Sequence, residues 1–136
     1  MNVSTAVSAV RSAVIALNDG RIDDYLEHFD PSSKRWVGGT ATPLSLTDID
    51  DNLHQLQAAF AGLHLDEELL FGDERFACAR WRLRGRHMGD YLGFAPTGRS
   101  IDFETCEVYE IDGGLVVATW VYGDLDQLVR QLQGGT

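Results

Sequence analysis

The sequence has 136 residues, of which 21 are acidic and 11 are basic, giving a net charge of -10 at neutral pH. This length fits a single domain over residues 1–136, and the acidity argues against a nucleic-acid partner. We find no apolar run long enough for a membrane span and no signal-peptide pattern, so we expect a cytoplasmic protein away from membranes. The two cysteines, Cys78 and Cys106, suggest neither a metal site nor a disulfide framework, and we expect them to be reduced.

The first third of the chain has two helical patterns. Apolar residues spaced three and four apart predict an amphipathic helix from Val3 to Leu17, which Asn18-Asp19-Gly20 ends. A second, short helix is expected from Arg21 to Phe29. Residues 33–39, which contain Trp36 and Val37, fit a short edge strand or a loop that crosses the sheet.

A third helix precedes the strands. It is predicted from Leu46 to Phe60, with Thr47 as its N-cap and Asp50 three positions later in a near capping box. A fourth helix closes the chain after Tyr122, with Asp124 as its predicted N-cap.

Four strands lie between the third and fourth helices. Alternating side-chain character and turn residues define them, and Asp112-Gly113 predicts a tight hairpin before the last one. The predicted strands are Leu63–Phe71, Arg75–Gly89, Arg99–Ile111 and Leu115–Tyr122. Together with the helices they predict an α+β fold, in which a curved antiparallel sheet is covered by helices on one side and leaves an apolar cone between them.

The faces of the two central strands follow from charge. One face carries arginines on one strand and Asp102 and Glu104 on the next, and such opposite charges favour each other across strands. We expect this face to point outward, as a solvated or subunit-interface surface. The arginines are Arg80, Arg82, Arg84 and Arg86. The inner face is then apolar and aromatic except for three residues, His87, Thr105 and Glu107.

Several segments resemble the SnoaL-like polyketide cyclases of the NTF2-like superfamily. The strongest is Trp81–Arg99, whose Gly-Arg-His-Met-Gly and Ala-Pro-Thr-Gly-Arg runs resemble a family signature. Weaker similarity lies in Leu17–Asp24, Ala59–Leu65, Val108–Gly114 and Asp124–Leu132. The resemblance implies an NTF2-like cone around N-terminal helices, an internal small-molecule pocket, and a homodimer or homotetramer formed through the outer sheet face. It also implies chemistry without metal or cofactor, because the founding members close the last ring of an aromatic polyketide ester by intramolecular aldol addition.

The resemblance breaks at the catalytic position. Aligned on the final helix, the family's acid-base aspartate falls at Val121, its pocket histidine at Glu107 and a neighbouring glutamine at Thr105. Valine cannot transfer a proton. The carboxylate has therefore moved by one strand, or the cyclase mechanism has been lost.

Glu107 is the first candidate for acid-base catalysis. On an apolar face its ionised form is desolvated, which raises the pKa of its carboxyl toward a useful range. The alternative is a carboxylate paired with an arginine, at the sheet edge or after a shift of register. His87 is either a second proton-transfer group or a loop anchor. Thr105 either orients a substrate carbonyl or Glu107, or is an ordinary strand residue.

Aromatic side chains are the candidates for substrate binding. They suit a flat, aromatic polyketide-like ligand by stacking, although such residues are also ordinary core. The aromatic candidates for substrate binding are Trp81, Phe103, Tyr109, Trp36 and Tyr25. Val121, at the position of the family's aspartate, is a further candidate for substrate binding. Trp120 remains open: a two-residue Asp112-Gly113 turn faces it inward, whereas the family alignment faces Val121 inward, and a bulge at Gly113-Gly114 reconciles the two.

The leading hypothesis is a cofactor-independent aromatic polyketide cyclase or closely related tailoring enzyme of antibiotic biosynthesis. A second is a SnoaL-like hydroxylase, dehydratase or epoxide-opening enzyme. A third is a non-catalytic protein that binds a hydrophobic small molecule or another tailoring enzyme. The product mass separates the first two, because aldol closure leaves the mass unchanged.

Overall fold

The computed structural model describes residues 4–38, 40–123 and 125–134 and contains both helices and strands. In chain order the described elements are α1 (Thr5–Asn18), α2 (Ile22–Leu26), β1 (Phe29–Val37), α3 (Leu46–Ala59), β2 (Phe60–Gly72), β3 (Phe76–His87), β4 (Ser100–Asp112), β5 (Leu115–Gly123) and α4 (Leu125–Leu132). The α+β class predicted from the sequence is confirmed. None of the helices in these described ranges is long and apolar enough to cross a membrane.

The first two helices differ in how well the sequence predicted them. The side chain of Ser4 caps α1 by accepting the Val7 N–H at 2.9 Å, and the helix ends at Asn18, as its apolar spacing predicts. Its predicted first residue, Val3, lies outside the described residues. The second helix is shorter than predicted, because Phe29 is the first residue of β1.

The cap of α3 is Ser45, and the prediction of Thr47 is wrong. The Ser45 hydroxyl accepts the Asp48 N–H at 3.2 Å, and the Asp48 carboxylate accepts the Ser45 N–H at 2.9 Å. These two bonds form a complete capping box. The helix begins at Leu46, so Thr47 is already inside its first turn. The predicted cap of α4, Asp124, lies outside the described residues.

The five strands form one mixed sheet in the order β1-β5-β4-β3-β2. Strands β2 to β5 are an antiparallel meander, whereas β1 pairs in parallel with β5, so the expectation of a wholly antiparallel sheet is wrong. The segment around Trp36 is accordingly a nine-residue edge strand. After Val37 the chain continues to α3, and the strand with which β1 pairs, β5, comes much later.

The charged face predicted for the central strands is confirmed. Arg82 lies opposite Glu104 and Arg84 opposite Asp102 on the outer face. The Arg82 guanidinium forms ion pairs with Glu68, Asp102 and Glu104, with a distance of 2.7 Å to Asp102. These groups remain at least partly exposed and hold the two middle strands in register.

A bulge in β5 decides which residues face the core. The hairpin loop is Gly113-Gly114, with φ of 60° and 81°, as a two-residue turn of type I′ requires. It therefore starts one residue later than the predicted Asp112-Gly113 turn. The register then shifts by one between Ile111 and Glu110, which leaves Val117 as the extra residue and places the bulge beyond the predicted site at the glycines.

The apolar core has two parts that meet along β4. One cluster is built from α1, α2 and the middle of the sheet, and includes Tyr109 and Ile111. The other includes Ile101 and Phe103 together with the apolar face of α4. The inward residues of β4 between these clusters are Thr105 and Glu107, so the polar part of the inner face lies at the junction of the two clusters.

Candidate active site

Glu107 is a buried carboxyl on the inner face of the sheet, as predicted. Its backbone lies between Ala79 on β3 and Val121 on β5, and 8% of the residue's surface is exposed. Burial raises the pKa of Glu107, while the charge of Arg35 and a hydrogen bond with Tyr109 act in the opposite direction. The group therefore holds a proton to higher pH than an ordinary glutamate.

Arg35 is the cation next to this carboxyl. It lies on β1 opposite Thr119, and its Nη2 donates a hydrogen bond to the Tyr25 hydroxyl at 2.8 Å. Burial disfavours the guanidinium charge, but interactions with Tyr25 and Glu107 keep the pKa of Arg35 above its ordinary value. Within the described residues, the buried Arg35 Nε has no hydrogen-bond partner. The carboxyl of Glu107 therefore faces inward, as predicted for a catalytic group, and it also lies close to an arginine. This closeness needs neither a position at the sheet edge nor a shift of register.

Two tyrosines complete this polar cluster. The Trp81 Nε1–H donates to the Tyr109 hydroxyl at 2.8 Å, and all of Trp81, Tyr109 and Tyr25 are buried. Burial raises the pKa of both tyrosine hydroxyls, and the Glu107 charge raises them further. Both hydroxyls are therefore neutral groups available for hydrogen bonding at neutral pH. The structure thus brings three predicted site residues, Tyr25, Trp81 and Tyr109, to Glu107.

His87 does not join this cluster. It is fully buried at the far end of β3, eight residues beyond Ala79, which corresponds to roughly 26 Å along an extended strand. Its Nδ1 accepts the Thr97 N–H at 3.3 Å, and its ring lies 5.4 Å from that of Phe60. This geometry matches the loop-anchor alternative and not proton transfer together with Glu107.

The other candidates divide between the two faces of the sheet. Thr105 and Val121 are half-buried on the inner face beside Glu107, and Phe103 packs in the cluster formed with α4. Trp36 is on the opposite face, where it stacks on Trp120 with 5.7 Å between ring centroids, so its prediction as a pocket wall is wrong. Strand alternation turns Arg35 inward and Trp36 outward.

Sequence reasoning missed Arg35. The sequence predicts a short strand or loop for this segment and does not place its charge in the interior. The sequence gives no clear signal here, because Ser33, Arg35 and Val37 on one face and Lys34 and Trp36 on the other do not separate polar from apolar residues.

Five cavities among the described residues are open at the surface, with volumes of about 280 to 500 Å³, and Glu107 lines none of these five. Trp81 lines one of about 280 Å³ between α1 and β2. The inner face is partly exposed only in patches, which include Val37, Thr105 and Val121 near one end of the sheet. Val37 lies directly opposite Val121, and Val121 opposite Glu107. The described residues contain no group of three or more His, Cys, Asp or Glu side chains that could hold a metal ion.

A buried carboxyl beside a guanidinium and two phenols can take a proton from a bound molecule and return it. The cation and the hydroxyls can stabilise a negative charge that develops on oxygen. A mixed sheet packed against helices, with such a polar cluster at the junction of its two apolar clusters, defines an α+β protein with a buried candidate acid-base site.

The chain belongs to the SnoaL-like polyketide cyclase family, whose model matches residues 7–132. A similar protein is the aklanonic acid methyl ester cyclase AcmA of Streptomyces galilaeus, which is 29% identical in an alignment that covers 96% of this chain and 92% of that protein. This membership supports a cyclase-like role.

Solved structures show the same fold. A putative hydroxylase, AclR of Streptomyces galilaeus, has a TM-score of 0.86 at 20% identity and covers 95% of this chain and 96% of its own. A putative polyketide cyclase, IdmH of Streptomyces antibioticus, has a TM-score of 0.81 at 21% identity, with 93% and 96% covered. The NTF2-like cone implied by the sequence resemblance is thereby confirmed.

Proposed function

We propose that this protein closes a ring in a flat aromatic polyketide ester by intramolecular aldol addition, without a cofactor, in an antibiotic pathway. The observation that carries the proposal is Glu107, a carboxyl held in the apolar interior with its pKa raised by burial. Such a group is suited to take a proton from carbon and return it to oxygen near neutral pH. The relative AcmA, an aklanonic acid methyl ester cyclase, supports the same reaction class.

The position of Glu107 allows its carboxyl to replace the acid-base aspartate that the family alignment places at Val121. These residues are direct partners across β4 and β5 and share the inner face, so a carboxylate on either strand reaches the same part of the interior. The acid-base group has moved sideways by one strand, which is about 5 Å. In the proposed mechanism a substrate enters past the half-buried Thr105 and Val121 and places its acidic C–H bond at Glu107. Orientation of two groups in one molecule supplies a large part of the acceleration.

The test is a mass-spectrometric time course with aklanonic acid methyl ester, using wild type, Glu107→Gln and a control without protein. We expect wild type to form an isomeric ring-closed product and Glu107→Gln to be slower by about 10²- to 10⁴-fold, the usual contribution of a general acid-base group. Glu104→Gln, an exposed outer-face neighbour on β4, is the matched control and should leave the rate unchanged.

Other outcomes would point to the other reactions of the fold. A product heavier by one oxygen would indicate hydroxylation, and a product that has lost water would indicate dehydration. Equal turnover by wild type and Glu107→Gln would remove Glu107 from the mechanism. Binding without any product would favour a small-molecule binder or a partner of another tailoring enzyme.

We further propose that a second copy of the chain covers the outer sheet face. Several large apolar side chains are exposed there, which is unusual for a surface that faces only water. They are Leu69, Phe71, Phe76 and Tyr122. The same face carries both arginines and carboxylates, so two copies related by a twofold axis can be electrostatically complementary. Cys78 and Cys106 on this face are free thiols, and free thiols are typical of proteins in the reducing cytoplasm, where we propose that this protein acts.

A further inference from the structure

We propose that Arg35 contacts the substrate directly, and that its Nε–H binds the oxygen on which negative charge develops. The ligand chemistry is an enolate of a 1,3-dicarbonyl group, or the phenolate of an aromatic ring. This inference rests on the proposed function, because it assigns a second role within the same site.

Three buried polar atoms occupy neighbouring positions on β1 and β5. The Arg35 Nε, the Ser33 Oγ and the Thr119 Oγ1 are all inaccessible and have no hydrogen-bond partner among the described residues. Arg35 is the register partner of Thr119, and Ser33 lies two residues before Arg35 on the same strand. Buried polar atoms without partners destabilise a fold by about 1 to 3 kcal/mol each. These three atoms lie at adjacent positions of two paired strands, and a polar group of a bound ligand would supply the partner that they lack.

The character of these atoms points to an oxygen ligand. A guanidinium nitrogen can only donate, and the two hydroxyls can donate as well. Arg35 already places its Nη2 on the Tyr25 hydroxyl at 2.8 Å, which holds the planar group in a fixed orientation. A donor set that includes a fixed cation favours an anionic oxygen over a neutral one.

The electrostatic balance of the site favours the same ligand. In the resting protein the positive charge of Arg35 interacts with the carboxylate of Glu107. When Glu107 takes a proton from substrate carbon, its own charge disappears and an equal charge appears on the substrate. A substrate oxyanion at Arg35 keeps the buried guanidinium paired throughout.

The reaction then balances without another reactant. Glu107 takes the C–H proton, the electron pair of that bond forms the C=C bond of an enolate, and the π pair of the adjacent carbonyl moves to the oxygen held by Arg35. That oxygen then restores its C=O bond while the C=C pair forms a C–C bond to a second carbonyl carbon of the same molecule, whose π pair moves to its own oxygen. Protonated Glu107 returns the proton to this alkoxide, so the product is an isomer of the substrate.

The competing role for Arg35 is that of a counterion that only stabilises Glu107. The two roles are separated by binding alizarin, a flat dihydroxyanthraquinone whose visible absorption moves to longer wavelength when its phenol ionises. At a pH where free alizarin is mostly neutral, we expect wild type to bind it as the anion. The proteins compared are wild type, Arg35→Met, Arg35→Lys, Glu107→Gln and Arg84→Met, the last being an exposed outer-face control.

In Arg35→Met the anion spectrum should be lost, with about 10- to 100-fold weaker affinity for the anionic form, the usual effect of losing a hydrogen bond to a charged group. Arg35→Lys keeps the charge and the fold but not the Nε–H, and should recover only part of the shift. Glu107→Gln removes the negative charge that competes for Arg35, so the shift of the alizarin absorption to longer wavelength should be larger. Arg84→Met should give the same spectrum and affinity as wild type. The inference is overturned if Arg35→Lys and wild type give the same spectrum, or if wild type binds alizarin only in the neutral form.

The same proteins are assayed for ring closure of aklanonic acid methyl ester. An anion shift that depends on Arg35, without ring closure by wild type, would end the proposed function and leave the oxyanion site standing. If ring closure needs Glu107 but Arg35→Lys changes neither the rate nor the spectrum, the oxyanion site is overturned and the proposed function stands.

Discussion

Glu107 links stability to pH in a direction opposite to that of most carboxylates. Its pKa is raised in the folded chain by burial, so between 4.5, the ordinary value, and that raised pKa the folded state binds more protons than the unfolded state. Stability from this group is complete below its unfolded pKa and falls as pH rises through the folded pKa.

We therefore expect the stability of wild type, relative to Glu107→Gln, to decrease as the pH rises from 4 to 8. Thermal unfolding of both proteins across this range measures the difference, in which the contributions of other groups largely cancel. Glu104→Gln, at an exposed site, should show no such fall relative to wild type. A constant difference between wild type and Glu107→Gln would mean that the folded chain does not raise the pKa of this carboxyl.

Strand alternation was enough to predict the inward position of Glu107 and of its aromatic neighbours, because side chains on β3 and β4 alternate between faces without interruption. It failed at Trp36 and overlooked Arg35, because polar and apolar residues do not alternate along this part of the edge strand β1. The partnership of Arg35 with Tyr25 and Glu107 depends on packing between distant segments, for which a single sequence carries no local signal.

At the scale of elements, the cap of α3 offers a direct test. Ser45→Ala removes the hydroxyl that accepts the Asp48 N–H, and we expect a loss of about 0.5 to 2 kcal/mol in the free energy of unfolding. Thr47→Ala, two positions later on an exposed face, is the matched control and should change stability by less than about 0.5 kcal/mol. Urea unfolding of the two variants and wild type compares these values. An equal loss in both variants would contradict the assignment of Ser45.

The elements were predicted most accurately where local chemistry determines them. The apolar spacing of α1 and the alternation of β3 and β4 gave the type of each element correctly. The parallel pairing of β1 could not be predicted, since it depends on where a much later strand comes to lie. No residue pattern predicts the bulge at Val117. The family alignment nevertheless predicts the inward position of Val121 correctly.

At the scale of the whole molecule, the outer sheet face determines the expected assembly. Phe71 is 54% exposed there, and placing a carboxylate at this site would insert an unpaired charge into the proposed contact between copies. Ile15, also 54% exposed, lies on α1 on the other side of the sheet and supplies a matched control. By sedimentation velocity we expect wild type and Ile15→Glu to be dimers or larger, and Phe71→Glu to shift toward monomer. A monomeric wild type would remove the proposed contact.

The parallel pairing of β1 with β5 also has a consequence for the order of folding. Phe29 pairs with Val116, so β1 is made early during synthesis but its only partner in the described sheet is among the last segments to leave the ribosome. Contacts between such distant segments close large loops and form slowly. Arg35 belongs to β1, whereas Glu107 belongs to the meander. A nascent chain that stops before β5 therefore contains both charges of the site, Arg35 and Glu107, but lacks the strand that joins β1 to the rest of the sheet.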